Sequence, residues 1–175
     1  LVASQVADQQ AEPAKNVPPN INWGSGPKPQ WIWGDDVTKD YRLSIDFEAP
    51  SSEGWLRATC DNSMTLYLNG ERLASSDTWE QAEQVNLGRA LKKGKNTLVA
   101  EVNNEGNVGG FVAKLALLQK GKVSDWVVTN SQWKATLKKS DDGAKAAKTV
   151  ADLGASPWGN VLDTAGGVAS SAPRD

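Results

Sequence analysis

The chain has 175 residues, 19 basic against 21 acidic side chains, eight tryptophans against two phenylalanines, one cysteine and no histidine. Lack of histidine removes every Ser-His or Cys-His nucleophile pair and the commonest zinc ligand, and a single cysteine excludes an intrachain disulfide or a Cys-rich metal site. The charges form no basic block, which argues against nucleic acid as a partner, and no apolar run approaches the roughly 20 residues of a membrane helix, so helical membrane insertion is not expected. Residues 1–30 read as a linker or leader, largely disordered. The opening LVASQVADQQAEPAKNVPPN is polar, and Asn22–Gln30 carries Gly24, Gly26, Pro27 and Pro29 with little to bury. A start at Leu1 rather than Met is compatible with a trimmed leader or an excised piece.

From Trp31 the character changes. Trp31–Trp33 is expected as a first strand. Tyr41, Leu43, Ile45 and Phe47 alternate with Arg42, Ser44, Asp46 and Glu48, a half-buried strand ended by Pro50. Glu53–Glu71 reads as two short strands meeting at a polar Asp61-Asn62-Ser63 turn, with Asn69-Gly70 as the hairpin turn that closes the second. Leu56, Ala58 and Cys60, then Leu66 and Leu68, mark one face, and Trp55, Arg57, Thr59, Thr65 and Tyr67 the other. Cys60 is expected as a small buried core residue. Further strands are expected at Gln84–Leu87, Thr97–Asn103 with Leu98, Ala100 and Val102 inward, Phe111–Leu117, Val123–Val128 and Trp133–Leu137. Residues 140–148 read as a solvated loop and residues 162–175 as a disordered tail. Strands every ten to fifteen residues, without a sustained helical period, indicate an all-β antiparallel β-sandwich or jelly roll over residues 31–161.

Asp61 and Asn62 set a carboxylate beside a carboxamide at a strand end, where loops meet ligands. The same residues form turns by bonding their own backbone, so a turn without a ligand is the competing reading. Trp79, in a long loop from Ala74 to Gln84, and Trp158, after Ser156-Pro157, are candidate stacking platforms for a sugar; Trp158 could equally clamp the last segment onto the sandwich. Trp31, Trp33, Trp55 and Trp133 fall on or beside strands and read as packing. Asp46, Glu48 and Glu53 lie on a solvent face or at a strand end with nothing to raise a pKa, so no catalytic pair is expected. Asp141-Asp142-Gly143 lacks the alternating acids and terminal Glu of a calcium loop and reads as a solvated turn.

The ordered motifs WIW, YRLSIDFEAP, ATCDNSMTLYLNGERL, LKKGKNTLVAEVNN, GGFVAKL, VVTNSQWKA and LGASPWG, from Trp31 to about Asn160, resemble the galactose-binding-like jelly-roll domains appended to bacterial α-L-rhamnosidases. The similarity is strongest to the calcium-dependent rhamnose-binding modules. In those modules the pair matching Asp61-Asn62, an Asn after a later strand and a carbonyl in the following Gly-rich loop hold Ca²⁺ and touch sugar hydroxyls. Here the later Asn falls on Asn103 or Asn104, with Asn104 favoured, and the carbonyl is nearest Val108. Cys60 replaces the usual small apolar residue before Asp, and Thr129-Asn130 stands where such domains often have Thr-Asp.

The resemblance implies a non-catalytic, Ca²⁺-assisted carbohydrate-binding module that holds a terminal sugar at the sandwich rim. Such modules are secreted, periplasmic or at the cell surface, often tethered to a larger enzyme or surface protein. The competing expectation is a structural or protein-interaction module of the same fold without a sugar site.

Overall fold

The computed structural model describes residues 18–165 apart from residues 107 and 140–142. The beginning of the expected leader (1–17), the end of the expected tail (166–175) and the Asp141-Asp142 turn lie outside the described residues. Twelve strands occur among the described residues: β1 (Gln30–Trp33), β2 (Tyr41–Ala49), β3 (Glu53–Asp61), β4 (Ser63–Leu68), β5 (Glu71–Ser76), β6 (Glu83–Asn86), β7 (Gly94–Asn103), β8 (Gly110–Gln119), β9 (Lys122–Val128), β10 (Lys134–Leu137), β11 (Lys145–Ala146) and β12 (Lys148–Asp152). A 3₁₀ turn follows at Val161–Thr164.

These strands form an antiparallel β-sandwich. One sheet has the order β12-β1-β8-β3-β6, with β9 also paired to β8; the other runs β11-β10-β2-β7-β4-β5. Alternation in β4 and β7 sends Met64, Leu66 and Leu68 and then Leu98, Ala100 and Val102 into the space between the sheets. There they meet Ile32, Leu56, Ala58, Cys60, Phe111, Leu115 and Leu117 from the facing sheet.

The first sheet is covered on both sides. β8 is buried without a break from Gly110 to Leu118, as expected of a central strand with no solvent face. On its outer side, Trp31 and Val112 pack with Trp158, Val161, Leu162 and Ala165. Beside them Trp55, Ala116 and Leu118 pack with Ile21, Trp23, Val123 and Trp126. The chain on both sides of the strand-forming region therefore folds back on this sheet. Lys114 anchors the first of these straps, its Nζ donating to the carbonyls of Trp23 at 2.9 Å and Ser25 at 2.5 Å.

Three expectations need correction. The two strands that meet at Asp61-Asn62-Ser63 do not pair with each other: β3 belongs to one sheet and β4 to the other, so the turn carries the chain across the rim of the sandwich. Part of the expected Ala74–Gln84 loop is strand, since β5 pairs with β4 through the Asn69-Gly70 turn, whose φ values are 53° and 84°. The expected 140–148 loop contains β11 and the start of β12, short edge strands that add to β10 and β1.

Candidate functional site

The rim between β3 and β4 lies beside the loop that joins β7 to β8. Register places Asp61 opposite Gly110 and Ser63 opposite Asn103, so residues 40 and more positions apart converge. The backbone N–H of Asn62 donates to Asn103 O at 3.1 Å, and the Glu105 N–H donates to Asn62 Oδ1 at 2.6 Å. Asp61, Asn62, Asn103 and Asn104 are thereby brought into one cluster. Val108, in the same loop, is 43% exposed.

Within the cluster the side chains differ in what they leave open. Asp61 and Asn62 are partly exposed. Asp61 Oδ2 accepts from the Trp158 indole Nε1 at 2.9 Å; among the described residues no donor is bonded to Oδ1. Asn103 lies between Ser63 Oγ, to which its Nδ2 donates at 3.2 Å, and Lys138 Nζ, which donates to its Oδ1 at 3.1 Å. Asn104 is 9% exposed. Its Nδ2 donates to Val37 O at 2.7 Å and Gly106 O at 3.1 Å, and its Oδ1 accepts from the Gly106 N–H. That amide braces two loops, and Asp40 adds a bond to the Asn104 backbone N–H.

Of the two candidate platforms, Trp158 is buried and Trp79 partly exposed. Trp158 is 5% exposed and stacks on Trp31, with 4.1 Å between centroids and 23° between planes. Of the two sequence readings of Trp158, the geometry is that of the clamp. Trp79 is half-buried against the same cluster, and its carbonyl accepts from Thr59 Oγ1 at 3.0 Å. Sequence spacing gave no sign of the Trp158–Asp61 bond, which spans 97 positions, nor of the Lys138–Asn103 bond.

A cluster of three or more His, Cys, Asp or Glu able to hold a metal is absent among the described residues. What the rim offers instead is a set of hard oxygens: the Asp61 carboxylate, the Asn62 and Asn104 amide oxygens and loop carbonyls. This donor chemistry fits Ca²⁺, which draws on carboxylate, amide and main-chain oxygens, and does not suit a softer metal. The amide oxygens each carry one hydrogen bond already and keep a second lone pair.

No protein-family model matches the chain. An α-L-rhamnosidase of Streptomyces avermitilis is 24% identical over 83% of this chain, which matches only 18% of that enzyme. The solved structure of an S. avermitilis α-L-rhamnosidase complexed with L-rhamnose has a TM-score of 0.69 at 21% identity, over 78% of this chain and 16% of that one. The lectin of Pleurotus ostreatus, solved free and in complex with GalNAc, has TM-scores of 0.70 and 0.69 at 21% identity and spans 83% and 82% of this chain. The matched region is about half of that lectin's length. The fold is thus one found in rhamnosidase domains and in a sugar-binding lectin.

Proposed function

We propose that the chain is a non-catalytic carbohydrate-binding module that holds a terminal sugar at the rim formed by Asp61-Asn62 and the 103–108 loop. The observation that carries this reading is the junction of those two segments through the Asn62–Asn103 and Glu105–Asn62 hydrogen bonds. The junction gathers neutral and anionic oxygens on a fold shared with a lectin and with rhamnosidase domains. Asp61, Asn62, Asn104 and the carbonyl near Val108 are the residues that would hold Ca²⁺. Bound there, Ca²⁺ would supply a hard positive centre to which a pair of vicinal sugar hydroxyls could coordinate in place of water. The chain's own part is to fix the oxygens, through Trp158 on Asp61, Glu105 on Asn62 and the Asn104 brace, so that little ordering remains at the moment of binding. Asn103 and its Lys138 partner flank the site as hydrogen-bonding groups for a sugar.

L-rhamnose is the first sugar to test, because the S. avermitilis enzyme was solved with it, and GalNAc the second, from the P. ostreatus complex. The small share of the rhamnosidases that this chain spans supports a module working tethered to a larger enzyme or surface protein, in a secreted, periplasmic or cell-surface setting, where modest affinity gains from a shared linker. The test is a glycan array read with Ca²⁺ and with chelator, paired with thermal unfolding. Binding of a defined terminal sugar, weakened by chelator and by Asp61→Ala, is expected. The thermal midpoint should rise with millimolar Ca²⁺ and again with the sugar, each ligand adding about 2.7 kcal/mol of stability at one hundred times its Kd. A flat array and an unmoved midpoint would leave a structural or protein-interaction module.

A further inference from the structure

Trp158 and Asp61 meet in a closely packed setting, the indole being 5% exposed. The ring is closed in by Trp31 on one face. Beneath the pair, Gly110 supplies the room: a Cβ there would come 2.8 Å from Trp31 Cε3 and 3.3 Å from the Trp158 ring. The segment that carries Trp158 is pinned at both ends. Gly154 N–H donates to Gly159 O at 3.1 Å, and the Ala82 N–H donates to Thr164 Oγ1 at 2.8 Å. Of the two stacked indoles, only Trp158 directs its N–H at a carboxylate; the Trp31 Nε1 is buried without a partner.

We infer that Trp158 is a positioning residue for the Asp61 carboxylate: its indole N–H takes Oδ2, fixes the rotation of the carboxylate, and leaves Oδ1 for a ligand. The inference rests on the proposed reading of this rim as a Ca²⁺-assisted sugar site, and deepens it by assigning a second-layer control that lies 97 residues away in sequence. A carboxylate held by an outer hydrogen bond keeps its ligating geometry, and loss of such a partner weakens metal affinity by about 10–100-fold. The stack supplies its own control. Trp158→Phe and Trp31→Phe each shrink one ring of the same pair, but only the first removes the donor to Asp61.

The experiment titrates Ca²⁺ alone into wild type, W158F and W31F by calorimetry, with thermal midpoints measured in chelator. Weakening of roughly tenfold in W158F, with W31F within about twofold of wild type, supports the inference. Equal weakening in both variants would reduce Trp158 to packing, and unchanged affinity in W158F would remove it from the site; either overturns the inference while the sugar array still stands. If wild type takes up no Ca²⁺, the calcium reading and the inference fall together. A measurement on wild type needs no variant to fold: in a ¹⁵N-resolved spectrum with assigned indoles, Ca²⁺ should shift the Trp158 N–H resonance and leave that of Trp31 in place. Bound Ca²⁺ with no movement of the Trp158 signal would overturn the inference equally.

Discussion

The Asn104 side chain makes three hydrogen bonds in a nearly closed pocket, to Val37 O, Gly106 O and Gly106 N–H. Gly109 abuts it so closely that a Cβ there would lie 2.9 Å from its Nδ2. Replacing Asn104 by Ala takes the partner from the half-buried Val37 carbonyl and from the backbone of exposed Gly106. Water reaches Gly106, so the loss is that of one part-buried group left unpaired, about 1–3 kcal/mol. Asn104→Ala is therefore expected to lower unfolding free energy in urea by roughly that amount, through stability as well as any ligand effect. A denaturation midpoint equal to wild type would show that water replaces the amide without loss. Cys60, one residue before the site, behaves differently. It is fully buried, and burial first and the Asp61 charge second push its thiol well above the usual range. The neutral thiol should stay unlabelled by a disulfide reagent in native buffer and react only on unfolding. The unfolded thiol ionises above about pH 8.5 while the folded one does not. Its contribution to stability is thus complete below that pH and falls as pH rises.

At the level of elements, alternation in β4 and β7 was readable because each has one face on the core and the other toward solvent. The Asn69-Gly70 turn was readable because both positions need positive φ. The sheet change at Asp61-Asn62-Ser63 was not. An Asp-Asn-Ser run signals a turn but does not say whether the next strand pairs with the last one or leaves for the other sheet. β11 and β12 were hidden in a Lys- and Ala-rich stretch whose edge pairing is decided by β10 and β1, outside the local sequence. The outer cover of β8 was concealed for a related reason. Trp23 lies among Gly and Pro residues, and its packing depends on Lys114, 91 positions later. Lys114 Nζ also sits 4.5 Å over the Trp126 ring, so one ammonium ties strap, strand and aromatic together. Hydrogen bonds to a charged group are worth about 1.5–3 kcal/mol each at most. Lys114→Met, which keeps the stem but removes both donors, should lower stability by a few kcal/mol and speed chymotryptic cleavage after Trp23. Cleavage at the wild-type rate would mean that Ile21 and Trp23 hold the strap by apolar contact alone.

Across the whole molecule, the two straps make the first sheet the middle layer of three, and Arg57 touches both. Its guanidinium lies 4.6 Å from the Trp23 ring, its Nε donates to Gln84 Oε1, and its Nη1 reaches Leu162 O at 3.4 Å. Ile21, Trp23 and residues 158–165 therefore cover the outer face of that sheet, and the Asp61 rim is braced by the second strap through Trp158. A chain ending at residue 156 would uncover Trp31 and Val112. It would lose the burial of Trp158, Val161 and Leu162 at about 1.5–3 kcal/mol apiece, roughly 5 kcal/mol together. For a domain of this size that is a fall of roughly 10–20 °C in thermal midpoint. The shortened chain should bind a hydrophobic dye in its native state as the outer face of the sheet opens. Measured in chelator, the fall cannot come from lost calcium linkage and reports packing alone. A midpoint within a few degrees of wild type, without dye binding, would mean that the sandwich stands as two layers and that the C-terminal segment only rests on it. Trp158 would then have no rigid base from which to hold Asp61. The thermal experiment on the shortened chain thus constrains the same contact that the Ca²⁺ titrations probe from the ligand side.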